Sequence, residues 1–506
     1  MGDSESPITS PGSRGVLRWS LTTWIAITSS VSYAQSPEPS PESSTLEAPR
    51  RSAQMQTTED ETDEEETEVA PQGQVSGRIK NLDEKPGLVR QSGRLLLYPL
   101  RGAWWLVTSP LRGLVWTFDR YALGSRFRDL FFNEDGTIGL YPVLLAETGF
   151  GLNGGGRFVW RNIGDTGAAL QLRAGAGGQF RQRYSATFTT GQLGDVLSLE
   201  ALGEYQQFPK SRFFGFGNRD EVSVAAAQNR GLPISPDAAS VSTRYRHDTT
   251  RATLRARLDL GEYAYVRPSV TYRTREFENE VDVRGDAALF DVYDIQQLTG
   301  YVDGLSNIYT ELELGWDTRE TPKPYHSDAA PSRGVKAVGF VGYQGGYDDD
   351  PSDHVRWGID VQHYINLFFG DRTLVLRGYI EGVTGELDTV PFLDLPAMGG
   401  PVFLRGYARD RFRDRHIAFG TIEYEYPVIP FVRAYAFVDA GVPFRRFEDF
   451  DDEIENLRVG FGGGFQFQTL SSFIARLVIG SSIDGGVTVQ FALNSVFDVR
   501  SRQESP

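Results

Sequence analysis

From about Tyr141 onward, apolar and polar residues alternate with a period of two in one segment after another. Ala168, Leu170, Leu172, Ala174 and Ala176 are interleaved with Gln171 and Arg173. Ala252, Leu254, Ala256, Leu258 and Leu260 alternate with Arg251, Thr253, Arg255, Arg257 and Asp259, and Leu374, Leu376 and Ile380 with Thr373, Arg377, Tyr379 and Glu381. Successive strand side chains point to opposite faces, so this is the signature of strands with two unlike faces. A soluble sandwich also alternates, but it buries Val, Ile and Phe and turns its polar face to bulk water. Here the apolar face is thin and aliphatic, and the other face carries Arg and Glu, as lipid-facing bands around a charged lumen would.

The pattern predicts an all-β fold, a transmembrane antiparallel β-barrel occupying 137–498 and followed by a short tail, 499–506. Alternation gives about sixteen strands, near 147–161, 166–180, 182–190, 195–208, 239–249, 251–262, 264–276, 307–318, 334–345, 354–368, 372–384, 416–428, 431–441, 456–468, 473–482 and 486–497. With both ends of the barrel on the inner side, the long connections 277–306 and 385–415 face outward, as such barrels prefer. The stretch 209–238 falls on the inner side, where a short turn is expected, and reads there as a structured insert.

The chain before the barrel has a different character. Arg14 and Arg18 precede a moderately apolar stretch, Trp19 to Val31, and Ser32-Tyr33-Ala34 offers small residues to a signal peptidase, so 1–34 reads as an export signal. Residues 35–80 are rich in Pro, Ser and Thr and then sharply acidic (Glu59 to Glu61, Asp63 to Glu66), too polar to offset ordering entropy, and read as a disordered linker. In 81–136, Trp104, Trp105 and Trp116 stand among Arg94, Arg101, Arg112 and Arg120, with Pro99 and Pro110 as breakers. That predicts short amphipathic helices suited to a membrane interface.

Composition narrows the function classes. The net charge of −16 argues against a nucleic-acid partner. The absence of cysteine among 506 residues is compatible with an exported protein that needs no disulfides. No run approaches the roughly 20 apolar residues of a membrane helix. Gly149 to Gly154 fits a dinucleotide-binding G-x-G-x-x-G, but a strand-like stretch follows it rather than a helix. The five histidines are scattered without metal-ligand spacing. The acidic runs Asp348 to Asp350 and Asp449 to Glu453 read as solvated loop tips. No cofactor, metal or enzymatic site is expected.

The most informative stretch is Pro391 to Gly441. Phe403-Leu404-Arg405-Gly406-Tyr407 lies in a loop, and two strands follow it. Alternation puts Glu423 on the polar face of one strand and Asp439 on the polar face of the next. A buried arginine beside two carboxylates is satisfied as a charge-assisted pair, whereas an unpaired one is costly. Arg405, with Gly406 and Tyr407, is therefore expected to fold into the lumen and latch onto Glu423 and Asp439.

These residues resemble a known family. Leu404-Arg405-Gly406-Tyr407 on an outer loop, Glu423 in a Glu-aromatic-x-x-Pro strand and Phe437-Val438-Asp439-Ala440-Gly441 resemble the BamA/TamA outer-membrane insertase superfamily, the bacterial surface-antigen barrels. Trp316 to Arg319 followed by Pro331 to Gly334 looks like the family's turn before a central strand, and Gln490 to Phe497 like its closing strand. The resemblance covers about Pro142 to Phe497. The window from Lys80 to Phe132 is too short for a periplasmic POTRA module, so the chain looks like a POTRA-less member.

What the resemblance implies is a barrel of the bacterial outer membrane, in contact with its lipid, that assists insertion or translocation of proteins. Unfolded β-barrel clients and accessory lipoproteins are the partners it suggests. The first and last strands would meet at a seam that opens sideways. Gly149, Gly151, Gly154 and Gly155 crowd the expected first strand and weaken it, with Asn494 and Phe497 on the closing strand. The alternative is a passive pore or structural barrel that keeps the latch for its own folding.

Overall fold

The computed structural model describes residues 109, 129–147, 151–178, 180–279, 287–320, 331–346, 353–368, 370–429, 432–468 and 473–492. The export signal, the acidic linker, the tail, Gly149, Asn494, Phe497, Trp104, Trp105 and Trp116 lie outside them.

The all-β expectation is met by a closed antiparallel barrel. Its strands, numbered here in barrel order, are β1 Ile138–Glu147, β2 Gly151–Ile163, β3 Ala168–Gly177, β4 Phe180–Leu193, β5 Leu197–Phe213, β6 Thr243–Leu260, β7 Ala264–Glu278 and β8 Leu305–Asp317. Then come β9 Gly334–Gly346, β10 His354–Phe368, β11 Gly370–Val383, β12 His416–Ile429, β13 Val432–Phe444, β14 Arg458–Gln468, β15 Phe473–Ser482 and β16 Val487–Ala492. Each pairs with its neighbours in sequence, and β1 meets β16 to close the cylinder. A two-stranded ladder, Ala397–Met398 with Phe412–Arg413, lies inside the loop between β11 and β12.

The alternation does what it predicted. Leu254 is 66 % exposed, Ile422 57 % and Trp316 50 %, all on the outer wall, while their strand neighbours Thr253, Glu423 and Gly315 face inward. The inward face is a lattice of ion pairs. Glu204 joins Arg183 (2.9 Å) to Arg251, Asp360 holds Arg377 (2.6 Å), and Glu425 holds Arg433 (2.7 Å). Removing one partner from such a buried pair strands the other charge, which costs about 3–5 kcal/mol.

Sixteen strands is the expected number, but two boundaries differ and offset one another. The alternating pattern starts the barrel near 147, whereas β1 is Ile138–Glu147. Its sequence, IGLYPVLLAE, is apolar on both faces and carries Pro142, so no period of two marks it. The two strands read at 239–249 and 251–262 are one strand, β6, of 18 residues. Its first five residues are buried on both faces by overlying loops, which erases the alternation there.

The shifted count changes which end a loop occupies. Residues 214–242 follow β5 and therefore lie at the same end as 279–304 and 384–415, not at the short-turn end. The structured insert is thus part of a cap at the long-loop end. Helix α1 (Val224–Gln228) and helix α2 (Leu289–Val292) belong to it, and Phe213, Ile234, Leu289, Tyr293, Phe392 and Leu395 form its apolar core. Tyr293 ties the layers together by accepting the Val241 amide at 2.7 Å.

Candidate functional site

Loop 384–415 enters the barrel and is held at two places. The first is Arg405, 2 % exposed. Strands β12 and β13 pair with Thr421 opposite Asp439 and Glu423 opposite Phe437, so both carboxylates project into the lumen a step apart. The Arg405 guanidinium donates from Nε and Nη2 to the two Asp439 oxygens (2.9 and 2.7 Å) and from Nη1 to Glu423 (2.5 Å). Nη2 also reaches Thr421 Oγ1 at 2.9 Å, and the Arg405 backbone amide reaches Asp439 at 2.8 Å. Its plane stacks on Phe437, 3.7 Å from the ring centre. Burial works against the charge, but Asp439 and Glu423 outweigh it and push the Arg405 guanidinium above its ordinary value.

The backbone around Arg405 is shaped for this approach. Leu404 has φ +55° and Gly406 φ +105°. A Cβ on Gly406 would stand 2.1 Å from the Ser481 carbonyl oxygen, and one on Gly460 would stand 1.9 Å from the Arg405 carbonyl oxygen. The loop tip lies flush on the wall only because both positions lack side chains. Tyr407 closes the tip by donating to Asp484 (2.9 Å). Burial and that carboxylate push its phenol up to about 12.

The second tie is Asp394, which closes a turn with the Pro391 carbonyl. It accepts Arg273 Nη2 (2.7 Å), Arg275 Nη1 (2.8 Å) and Gln344 Nε2 (2.8 Å) from β7 and β9. Burial alone would raise the Asp394 carboxyl, but the two guanidiniums outweigh it and hold it far below the usual carboxylate range. The loop is therefore a strap across the lumen, fastened to β7 and β9 on one side and to β12 and β13 on the other. Nearby, Arg411 donates to the Arg219 carbonyl (2.8 Å), and Arg413 donates to the Phe392 and Leu395 carbonyls (2.8 and 3.0 Å).

Two participants escape sequence reasoning. Arg476 on β15 is fully buried, pairs with the other Glu423 oxygen and stacks 3.7 Å from the Tyr435 ring centre. Its position in an alternating strand marks it as inward, but only the register places it level with Glu423. Asp394 carries a sequence signal, a lone carboxylate between Leu393 and Leu395. Its arginine partners lie more than a hundred residues away and Gln344 fifty.

The seam differs from its sequence description. Gly151, Gly154 and Gly155 lie on β2, one strand in from the closure. The closing partners are β1 and β16, which pair at Ala146 with Phe491 and Glu147 with Gln490 among the described residues. Between β1 and β2 the register runs unbroken from Ile138 opposite Trp160 to Glu147 opposite Gly151. At the short-turn end, Asp317 grips Arg319 (2.7 Å) and Glu320 exchanges backbone bonds with Ser332 and Arg333, forming the turn singled out before β9. Among the described residues no group of three His, Asp or Glu is placed to hold a metal ion.

A closed antiparallel barrel with a charged lumen, a three-loop cap and an inward strap defines a class, the outer-wall barrel with a lumen-held loop. The family comparison makes it specific: residues 162–479 match the Omp85 superfamily domain, and the chain belongs to that superfamily. Similar solved structures include BamA from Haemophilus ducreyi lacking POTRA domains 1-3, at 15 % identity and TM-score 0.47, covering 70 % of this chain and 69 % of that one. CdiB from Acinetobacter baumannii is similar at 11 % identity and TM-score 0.45, covering 70 % of this chain and 59 % of that one. CdiB from Escherichia coli gives 11 % and 0.45, with 70 % and 62 % covered. No curated protein matches the chain.

Proposed function

We propose that this barrel resides in a bacterial outer membrane and assists the insertion or translocation of other proteins there, using the β1–β16 seam as the point of entry. The observation that carries the reading is the strap, a loop held inside the lumen of an Omp85-superfamily barrel by Arg405 at one wall and Asp394 at the other. An unpaired strand edge in a membrane must find a partner, because no water is present to satisfy its amides and carbonyls. A client strand can supply them by adding to the edge. The strap and the cap meanwhile keep the lumen occupied while the seam opens, which disfavours the passive-pore reading.

The chain has no cysteine, so a seam lock can be built cleanly. Ala146→Cys with Phe491→Cys places two thiols across the closure. In proteoliposomes, the reduced double variant is expected to accelerate insertion of a client barrel, and the oxidised form to lose that acceleration. Insertion that is equally fast in the locked barrel would exclude the seam as the route. No acceleration by the unmodified protein would exclude insertase activity.

A further inference from the structure

Just before β1 the chain folds back on it. Phe132 forms an antiparallel bridge with Gly139, and Asn133 takes both backbone groups of Ile138. The Asn133 amide donates to the Ile138 carbonyl (2.8 Å), and the Ile138 amide donates to Asn133 Oδ1 (2.9 Å). Asn133 is itself fixed by a bond from Nδ2 to Thr137 Oγ1 at 2.9 Å.

The direction of these bonds settles which edge they occupy. The Arg161 amide of β2 donates to the Thr137 carbonyl (2.7 Å), so odd-numbered backbone groups of this stretch face β2. Strand groups alternate sides, so the Ile138 groups held by Asn133 face the seam. The same parity turns Pro142 toward the seam, where a residue without an N–H costs the β1–β2 ladder nothing. Ala146, also even, is the residue paired with Phe491. Along the seam edge of β1, one end is thus covered by Asn133, the other by β16, and a proline stands between them.

The cover is seated by a shaped contact. A Cβ on Gly139 would lie 2.4 Å from two carbons of the Phe132 ring, so the ring fills the place of the missing side chain. Tyr141 stacks on that ring at 5.7 Å between centres, and the Arg161 guanidinium lies 5.6 Å from it.

We propose that Phe132 and Asn133 form a removable edge cover, an autoinhibitory contact that an incoming β-strand must displace from Ile138 and Gly139 before it can add to the short-turn end of β1. The inference rests on the seam reading above, yet its test needs no insertion activity. In the purified full-length protein in lipid nanodiscs, amide hydrogen exchange at Ile138 and Leu140 is compared between wild type and Phe132→Ala/Asn133→Ala. Removing the Asn133 Oδ1 acceptor of the Ile138 amide, the bond that fixes Asn133 to Thr137 and the seated ring is expected to loosen the remaining main-chain bond and speed exchange there on the order of tenfold, with β6 to β13 unchanged. A synthetic peptide with the sequence of 487–497 is then expected to bind the double variant more tightly than wild type and to restore the protection. Gly139→Ala, which fills the notch without touching Asn133, is expected to act in the same direction but less strongly. Unchanged exchange in the double variant would overturn the cover itself, and equal peptide affinity for both proteins would overturn its inhibitory role.

Discussion

At the scale of residues, Arg405 gathers two carboxylates, a hydroxyl and an aromatic face around one guanidinium. Its removal does not affect the two acids equally. Glu423 keeps the Arg476 guanidinium, whereas Asp439 is left with two neutral donors, the Thr421 hydroxyl and the backbone amide of residue 405. Arg405→Ala is therefore expected to destabilise the barrel by about 3 kcal/mol, the low end of the range for a stranded buried charge. The variant should remain exported, and its folded form on a cold gel should convert to the unfolded form at a lower temperature than wild type. Unchanged heat-modifiability would show that the pair adds nothing to barrel stability. Arg405→Lys should recover little, because a point-like ammonium cannot reproduce the forked donation to Asp439 or the stacking on Phe437.

At the scale of elements, the strap is fastened by Asp394 as well as by Arg405, and the Asp394 fastening responds to acid. The folded Asp394 carboxyl titrates well below its ordinary value of 3.8. A depressed folded pKa means the contribution to stability is complete above that value and fades as pH falls through it toward the folded pKa. Wild-type thermal stability should therefore decline below about pH 4, and Asp394→Asn should be less stable at neutral pH and flatter across the acid limb. Melting followed by circular dichroism from pH 7 to pH 2 checks both; identical slopes for the two proteins would remove Asp394 from the acid response. The cap adds a related contact: burial would raise Asp237, but Arg445 and Arg219 hold it low. That pair is partly exposed and is worth little by itself.

At the scale of the whole molecule, cap and strap fill the long-loop end of a cylinder whose wall is closed by ladders all the way round, β1–β16 included. In planar bilayers the wild-type protein should give small, flickering currents. Arg405→Ala combined with Asp394→Ala unfastens the strap from both walls, and steady, larger conductance is expected. Equal conductance in the two proteins would mean that the cap alone closes the lumen. The topology also explains the long 214–242 connection. It sits with the other long loops because β1 precedes the first alternating segment, and it shares their apolar core.

Alternation alone determined the all-β class, the approximate strand number and the charged interior, because the two faces of a barrel wall meet solvents of opposite kind. The pairing of Arg405 with Glu423 and Asp439 was also legible, since a basic loop followed by two strands with same-face acids has few other ways to satisfy a buried guanidinium. Only the tertiary structure decided the rest. Strand β1 is apolar on both faces, so no local period announces it, and the position of the seam and the sidedness of every earlier loop hang on that one strand. Arg476 and the partners of Asp394 depend on register between distant strands, which hydrogen bonds across the sheet fix and no stretch of sequence encodes by itself.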